Sequence, residues 1–170
     1  MNTLNSSAVI SECGLYRYRL DRSCCPQFDG SKVFAFFGVN PSTADAMLDD
    51  HTVRKWRGFT LRNGGHAFIV GNVFSFRATD VRVLRKTLIT MGPDHGKHLE
   101  AIIREADVLV PCWGSSDKLD YGHRLYMKEL MRTLLDSGKP VLHFGKTKSG
   151  DPMHPLTLGY DTPLIPWVTP

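Results

Sequence analysis

The chain has 170 residues, 42% hydrophobic and 22% charged, which is the size and composition of one globular domain and excludes a disordered chain. A net charge of +4 permits a polyanionic partner without requiring one. No apolar run reaches the roughly 18 residues that span a bilayer, and residues 1–12 lack the basic start and apolar stretch of a secretory signal. A monomeric cytoplasmic protein is therefore expected, with residues 1–12 flexible and no membrane partner.

The four cysteines are Cys13, Cys24, Cys25 and Cys112. No C-x-x-C pair occurs, which argues against a zinc or iron–sulfur site and for reduced thiols. Basic residues gather at Arg54, Lys55, Arg57 and Arg62, at Arg77, Arg82, Arg85 and Lys86, and at Lys139, Lys146 and Lys148.

In chain order, residues 16–20 alternate apolar and basic side chains and predict an edge strand with one wet face. Residues 33–39 form a continuous apolar run, the pattern of a strand buried on both faces of a parallel sheet. Residues 52–62 have helical spacing and stop at Gly64-Gly65. Residues 67–70 predict a second buried strand, 97–105 a helix, 108–112 a third strand, 119–135 a long helix and 140–144 a fourth strand. The Pro-rich tail, 152–170, reads as irregular. Alternating strands and helices predict a three-layer α/β/α domain around a four-stranded parallel sheet. In such sheets ligands bind beyond the carboxyl ends of the strands.

The residues at those ends are therefore the candidates. Gly38-Val39-Asn40-Pro41-Ser42 follows the first strand; Gly38 lets backbone pass close to a ligand and Pro41 stiffens the turn that holds the Asn40 amide. A plain Asn-Pro turn fits Asn40 equally well. Asn72 ends the second strand, with a cap or turn role as the alternative. Trp113-Gly114 follows the third strand, and packing alone would explain the Trp113 ring. The loop after the fourth strand carries Lys146, Lys148, His154 and Leu158. Asp49-Asp50-His51-Thr52 has carboxylates that could hold a metal, but capping the helix that begins near Thr52 explains them better.

Taken in order, these motifs resemble the uracil-DNA glycosylase superfamily. Gly38-Val39-Asn40-Pro41 resembles the first-strand loop of its mismatch-specific branch. The run 68–72 ending in Asn72, the Arg77-Ala78-Thr79 that follows, Trp113-Gly114, and His154-Pro155 with Leu158 resemble its later motifs. The departures are Asn40 where the best-known branch has a water-activating Asp, Ser42 after the first Pro, and Leu156 after His154-Pro155. The chain also resembles, end to end, a bacterial and phage family of unknown function, through residues 17–20, 40–44, 49–52 and 154–156.

The superfamily resemblance implies a glycosylase-like fold and a hydrolase that excises a damaged or modified base swung out of DNA, with no cofactor. It implies that Asn72 reads the base edge, that Trp56 or Phe74 stacks on the base, and that His154 stabilises charge on the departing base. Asn40 would position water, an amide being a poor general base. Leu158 would wedge into the gap, and Ser42, Arg77, Trp113, Lys146 and Lys148 would face DNA. A non-catalytic reader of modified bases and an enzyme acting on free nucleosides or nucleotides are the alternatives.

Overall fold

The computed structural model describes residues 6–168. Ten regular elements follow in chain order: β1 (Ser7–Ile10), β2 (Arg17–Ser23), β3 (Lys32–Gly38), α1 (His51–Arg62), β4 (Gly65–Asn72), α2 (His95–Glu105), β5 (Val108–Pro111), α3 (Tyr121–Asp136), β6 (Leu142–His143) and β7 (Ile165–Pro166). Two short 3-10 turns, Val81–Lys86 and Pro155–Thr157, lie in the connections. No helix among the described residues is long and apolar enough to cross a membrane.

The main sheet has the order β1-β2-β4-β3-β5. β3 is parallel to both β4 and β5, while β2 is antiparallel to β4 and β1 antiparallel to β2. The sheet is thus mixed, a correction to the expected four parallel strands. Residues 16–20, expected at an edge, begin an interior strand. Part of the polar terminus, Ser7–Ile10, forms the edge strand; residues 1–5 lie outside the described residues.

The expected fourth strand also differs. Its contact with the parallel strands is a single bridge, Leu109 to Val141. Pro140 has no N–H for a ladder, although its carbonyl accepts from the Leu109 N–H at 2.9 Å. The Val141 carbonyl then accepts from Trp167 N–H at 2.8 Å. Residues 142–143 turn away to pair antiparallel with β7, so the tail is not wholly irregular.

Side chains alternate across β3, as strand geometry demands. Ala35 and Phe37 join Ile69, Leu109, Ile102 of α2, and Met127, Leu130 and Leu134 of α3 on one face. Phe34 and Phe36 join Phe68, Val110, and Val53, Trp56 and Phe59 of α1 on the other. Each of these large side chains contributes about 1.5–3 kcal/mol by burial. α1 starts at Asp50, whose carboxylate accepts the Val53 N–H at 2.9 Å. Its chain reverses through Gly64, which holds a left-handed φ of 76°.

This layering sets where the candidate site lies. From β3 the chain leaves to α1 on one face; from the adjacent β5 it leaves to α3 on the opposite face. The loops therefore part above the tips of β3 and β5, the place where open α/β sheets bind ligands.

Candidate functional site

Asn72, the last residue of β4, pairs with Gly38, the last of β3. A Cβ on Gly38 would stand 2.8 Å from the Asn72 Oδ1 and 3.7 Å from the Trp56 ring. The missing side chain is what makes room for the amide. Asn72 is only 4% exposed, yet among the described residues no donor or acceptor pairs with its side chain. A buried amide with open bonding capacity is costly in a folded protein unless a ligand or water completes it.

His154 comes from the other side. A Cβ on Gly114, just beyond β5, would meet the His154 Cβ at 3.2 Å. The Gly114 N–H donates to the Pro152 carbonyl at 2.8 Å, tying the two loops together. The His154 Nδ1 accepts the Leu156 N–H at 3.2 Å and caps the short 3-10 turn. A neutral ring must then carry its proton on Nε2, as a donor. Burial lowers the proton affinity of this imidazole, and the Asp50 carboxylate partly offsets that effect. His154 is thus a neutral hydrogen-bond donor at neutral pH.

Asn40 has a structural task. Its Nδ2 donates to the carbonyls of Ala78 at 2.8 Å, Pro41 at 3.1 Å and Phe76 at 3.4 Å. The Ala78 N–H returns a bond to the Pro41 carbonyl at 2.9 Å. This clasp joins the β3 loop to the segment after β4 and leaves Oδ1 as the part of the amide able to hold water.

Of the two stacking candidates, neither offers an open face. Trp56 is 4% exposed and lies parallel to Phe36, with ring centroids 5.7 Å apart. Its indole N–H points toward Cys112 without a full hydrogen bond. Burial pushes the Cys112 thiol up to about 12. Phe74 is fully buried against His123 and Tyr126. Trp56 still reaches the site through the ring edge beside Gly38, whereas Phe74 packs in the α2–α3 core.

Trp113 is buried in that same core and borders a cavity of about 340 Å³, with Ser116, Asp151, Met127 and Trp167 among its walls. Neither Asn72 nor His154 lines this cavity. Lys146 lies over the Trp167 ring at 4.3 Å, and Lys148 is exposed on the same hairpin. Leu158 packs partly against the α1 core, and its carbonyl accepts from Lys55 Nζ at 2.6 Å. Ser42 is half-buried and Arg77 donates to the Gly14 carbonyl at 3.3 Å.

Asp49 and Asp50 have different partners. Asp49 pairs with the buried Arg22 at 2.7 Å and with Arg57 at 3.5 Å. Asp50 caps α1 and acts electrostatically on both Arg17 and His154. Among the described residues no group of three His, Cys, Asp or Glu side chains is placed to hold a metal.

Arg17 is a candidate site residue that sequence reasoning did not select, and Asp50 reads there as the cap of the helix near Thr52, which it is. Arg17 is 3% exposed and donates to the Ala44 carbonyl at 2.6 Å. The four segments 17–20, 40–44, 49–52 and 154–156 are therefore linked in space, and that convergence was available in the sequence only as a set of unconnected motifs.

No curated protein and no solved structure matches the chain. A family model described as a protein of unknown function (DUF1643) matches residues 17–156, and the chain belongs to that family.

Proposed function

We propose that the chain recognises a nucleobase at the tips of β3, β4 and β5 and excises it from DNA by hydrolysis. The observation that carries this reading is the unpaired Asn72 amide, buried beside Gly38. A planar amide with a free donor and a free acceptor matches the edge of a base and discriminates between bases. His154 supplies the second element: a neutral ring with its donor on Nε2 can bond a base oxygen as negative charge develops there.

In the reaction the C1′–N bond breaks and its electron pair leaves with the base. Water attacks C1′, and the proton it releases ends on the departing base anion, so that a neutral base and a C1′ hydroxyl result. Asn40 Oδ1 orients that water by accepting a hydrogen bond. Asp50, with one oxygen committed to the Val53 N–H, has a second oxygen to offset the positive charge on the sugar. Leu158 fills the space the base vacates, and Lys146 and Lys148 contact phosphates. The fold this reading invokes is that of the uracil-DNA glycosylases, with the antiparallel β1–β2 pair added at one edge.

Oligonucleotides bearing uracil, mismatched thymine, hypoxanthine or hypermodified pyrimidines test it. Wild type, Asn72→Ala and His154→Ala would be incubated with each, and abasic sites revealed with alkali. Abasic sites formed by wild type and lost in both variants are expected for one substrate class. No abasic product on any substrate would sink the hydrolase. A reader function is favoured by the commitment of the Asn40 amide nitrogen to three carbonyls, and it predicts base-selective binding, abolished in Asn72→Ala, without cleavage.

A further inference from the structure

Three arginines lie under the loop that joins β3 to α1, and they are not treated alike. Arg22 is 2% exposed and fully served: Nε pairs with Asp49, Nη1 donates to the carbonyls of Ser7 and Asp21, and Nη2 donates to those of Asp45 and Leu48. Arg17 and Arg77 each make one bond, through Nη1 to the carbonyls of Ala44 and Gly14. Their Nε atoms are sealed from solvent without a partner. Among the described residues neither forms an ion pair, and no protein acceptor meets either Nη2.

The two belong to one face of one ribbon. Tyr16 and Phe76 form an antiparallel bridge, the Arg17 N–H donates to the Ser75 carbonyl, and the Arg77 N–H donates to the Leu15 carbonyl. Arg17 therefore stands opposite Ser75, and Arg77, two residues on, is its diagonal neighbour on the same side. Burial lowers Arg17 to about 10; the Asp50 carboxylate opposes that lowering, and the neighbouring Arg77 guanidinium adds to it. Nearby carboxylates act on Arg17 only at a distance and none bonds either guanidinium: Asp45 accepts the N–H groups of Met47 and Leu48, Asp49 holds Arg22, and Asp50 caps α1. Two like charges held together, one of them buried, with both Nε atoms unpartnered, suit an anion bound across the pair.

We propose that Arg17 and Arg77 form a binding site for the phosphate of a nucleotide ligand, beneath the loop that carries Ser42. The ligand class rests on the base-recognition reading, because Asp50 connects this site to His154; the anion site itself does not. The phosphate is either the terminal group of a free nucleotide or a phosphodiester of DNA, and the guanidinium forks suit both.

Isothermal titration would use inorganic phosphate, a deoxynucleoside, its 5′-monophosphate, and a dinucleotide without terminal phosphate, against wild type, Arg77→Gln and Arg77→Lys. Circular dichroism would confirm that each variant is folded. Wild type should bind at least one phosphate-bearing probe. Arg77→Gln should weaken it tenfold or more, and Arg77→Lys, which keeps the charge but loses the fork, by less. A 5′-monophosphate that outcompetes the dinucleotide identifies a terminal phosphate, and the reverse order a DNA backbone. Phosphate affinity unchanged in both variants, or absent in wild type, overturns the site. Asn72→Ala should leave inorganic phosphate binding intact, so a failed base reading and a failed phosphate site give different results.

Discussion

The Asn72 amide occupies the space that a side chain on Gly38 would need, its Oδ1 lying 2.8 Å from the Cβ position. Gly38→Ala should therefore push the amide away while the ladder between β3 and β4 persists. The contact is with the far end of a side chain, so a stability loss of about 1 kcal/mol is expected. On the proposed reading, base recognition should fall as far as in Asn72→Ala. Denaturant melts and base-selective binding measured on both variants check this; Gly38→Ala binding like wild type would separate the amide from function.

His154 sets a pH profile. Burial, only partly countered by Asp50, places its ionisation below the ordinary 6.5. Protonation puts a hydrogen on Nδ1, where it faces the Leu156 N–H and ends that bond. The neutral ring thus contributes stability that is complete above pH 6.5 and is lost as pH falls through the depressed value. If the proposed excision occurs, its rate should be flat above pH 6.5 and decline below it. An NMR titration of the ring with a midpoint above 6.5 would contradict the assignment.

Acid should weaken the fold through His95. It is 7% exposed, with neither ring nitrogen hydrogen-bonded, and burial lowers it to about 4. Below pH 6.5 the unfolded chain takes a proton that the folded one refuses, so stability falls until about pH 4. The loss is about 3 kcal/mol for a shift of this size. Urea unfolding at pH 7 and pH 4.5 should show a smaller acid loss in His95→Phe than in wild type; an equal loss would show that other groups cause it.

The adjacent carboxylates predict unequal costs. Asp49→Ala leaves the Arg22 guanidinium, which is 2% exposed, its backbone carbonyls but no carboxylate, and should cost roughly 3 kcal/mol, as breaking one side of a buried pair does. Asp50→Ala removes a helix cap and should cost about 1 kcal/mol, but it should impair function more. Thermal melts and the excision assay on both variants test the crossed pattern. Equal losses in both readouts would remove Asp50 from the site.

β3 and β4 were legible because a strand buried on both faces needs a continuous apolar run, and both have one. Residues 16–20 misled because alternation equates basic side chains with water. Arg19 instead pairs with Asp21 at 2.7 Å and Glu105 at 2.5 Å, and Arg17 reaches the Ala44 carbonyl. Those partners are up to 86 residues distant in sequence, beyond any local pattern. The fourth strand failed for a similar reason: the tail through Trp167 takes the Val141 carbonyl. At the candidate site, Asn72 and His154 were selectable from their places after strands. The burial of Phe74 was not, since an aromatic ring after a strand reads the same whether it faces ligand or core.

The antiparallel β1–β2 pair also shields what would otherwise be the most hazardous edge of the molecule. All eight residues of β4 are buried, and β2 pairs with residues 67–70 of it. A chain beginning after residue 23 would expose that apolar ladder as a template for a second copy to join. Loss of the first 23 residues should therefore show itself first as self-association and precipitation.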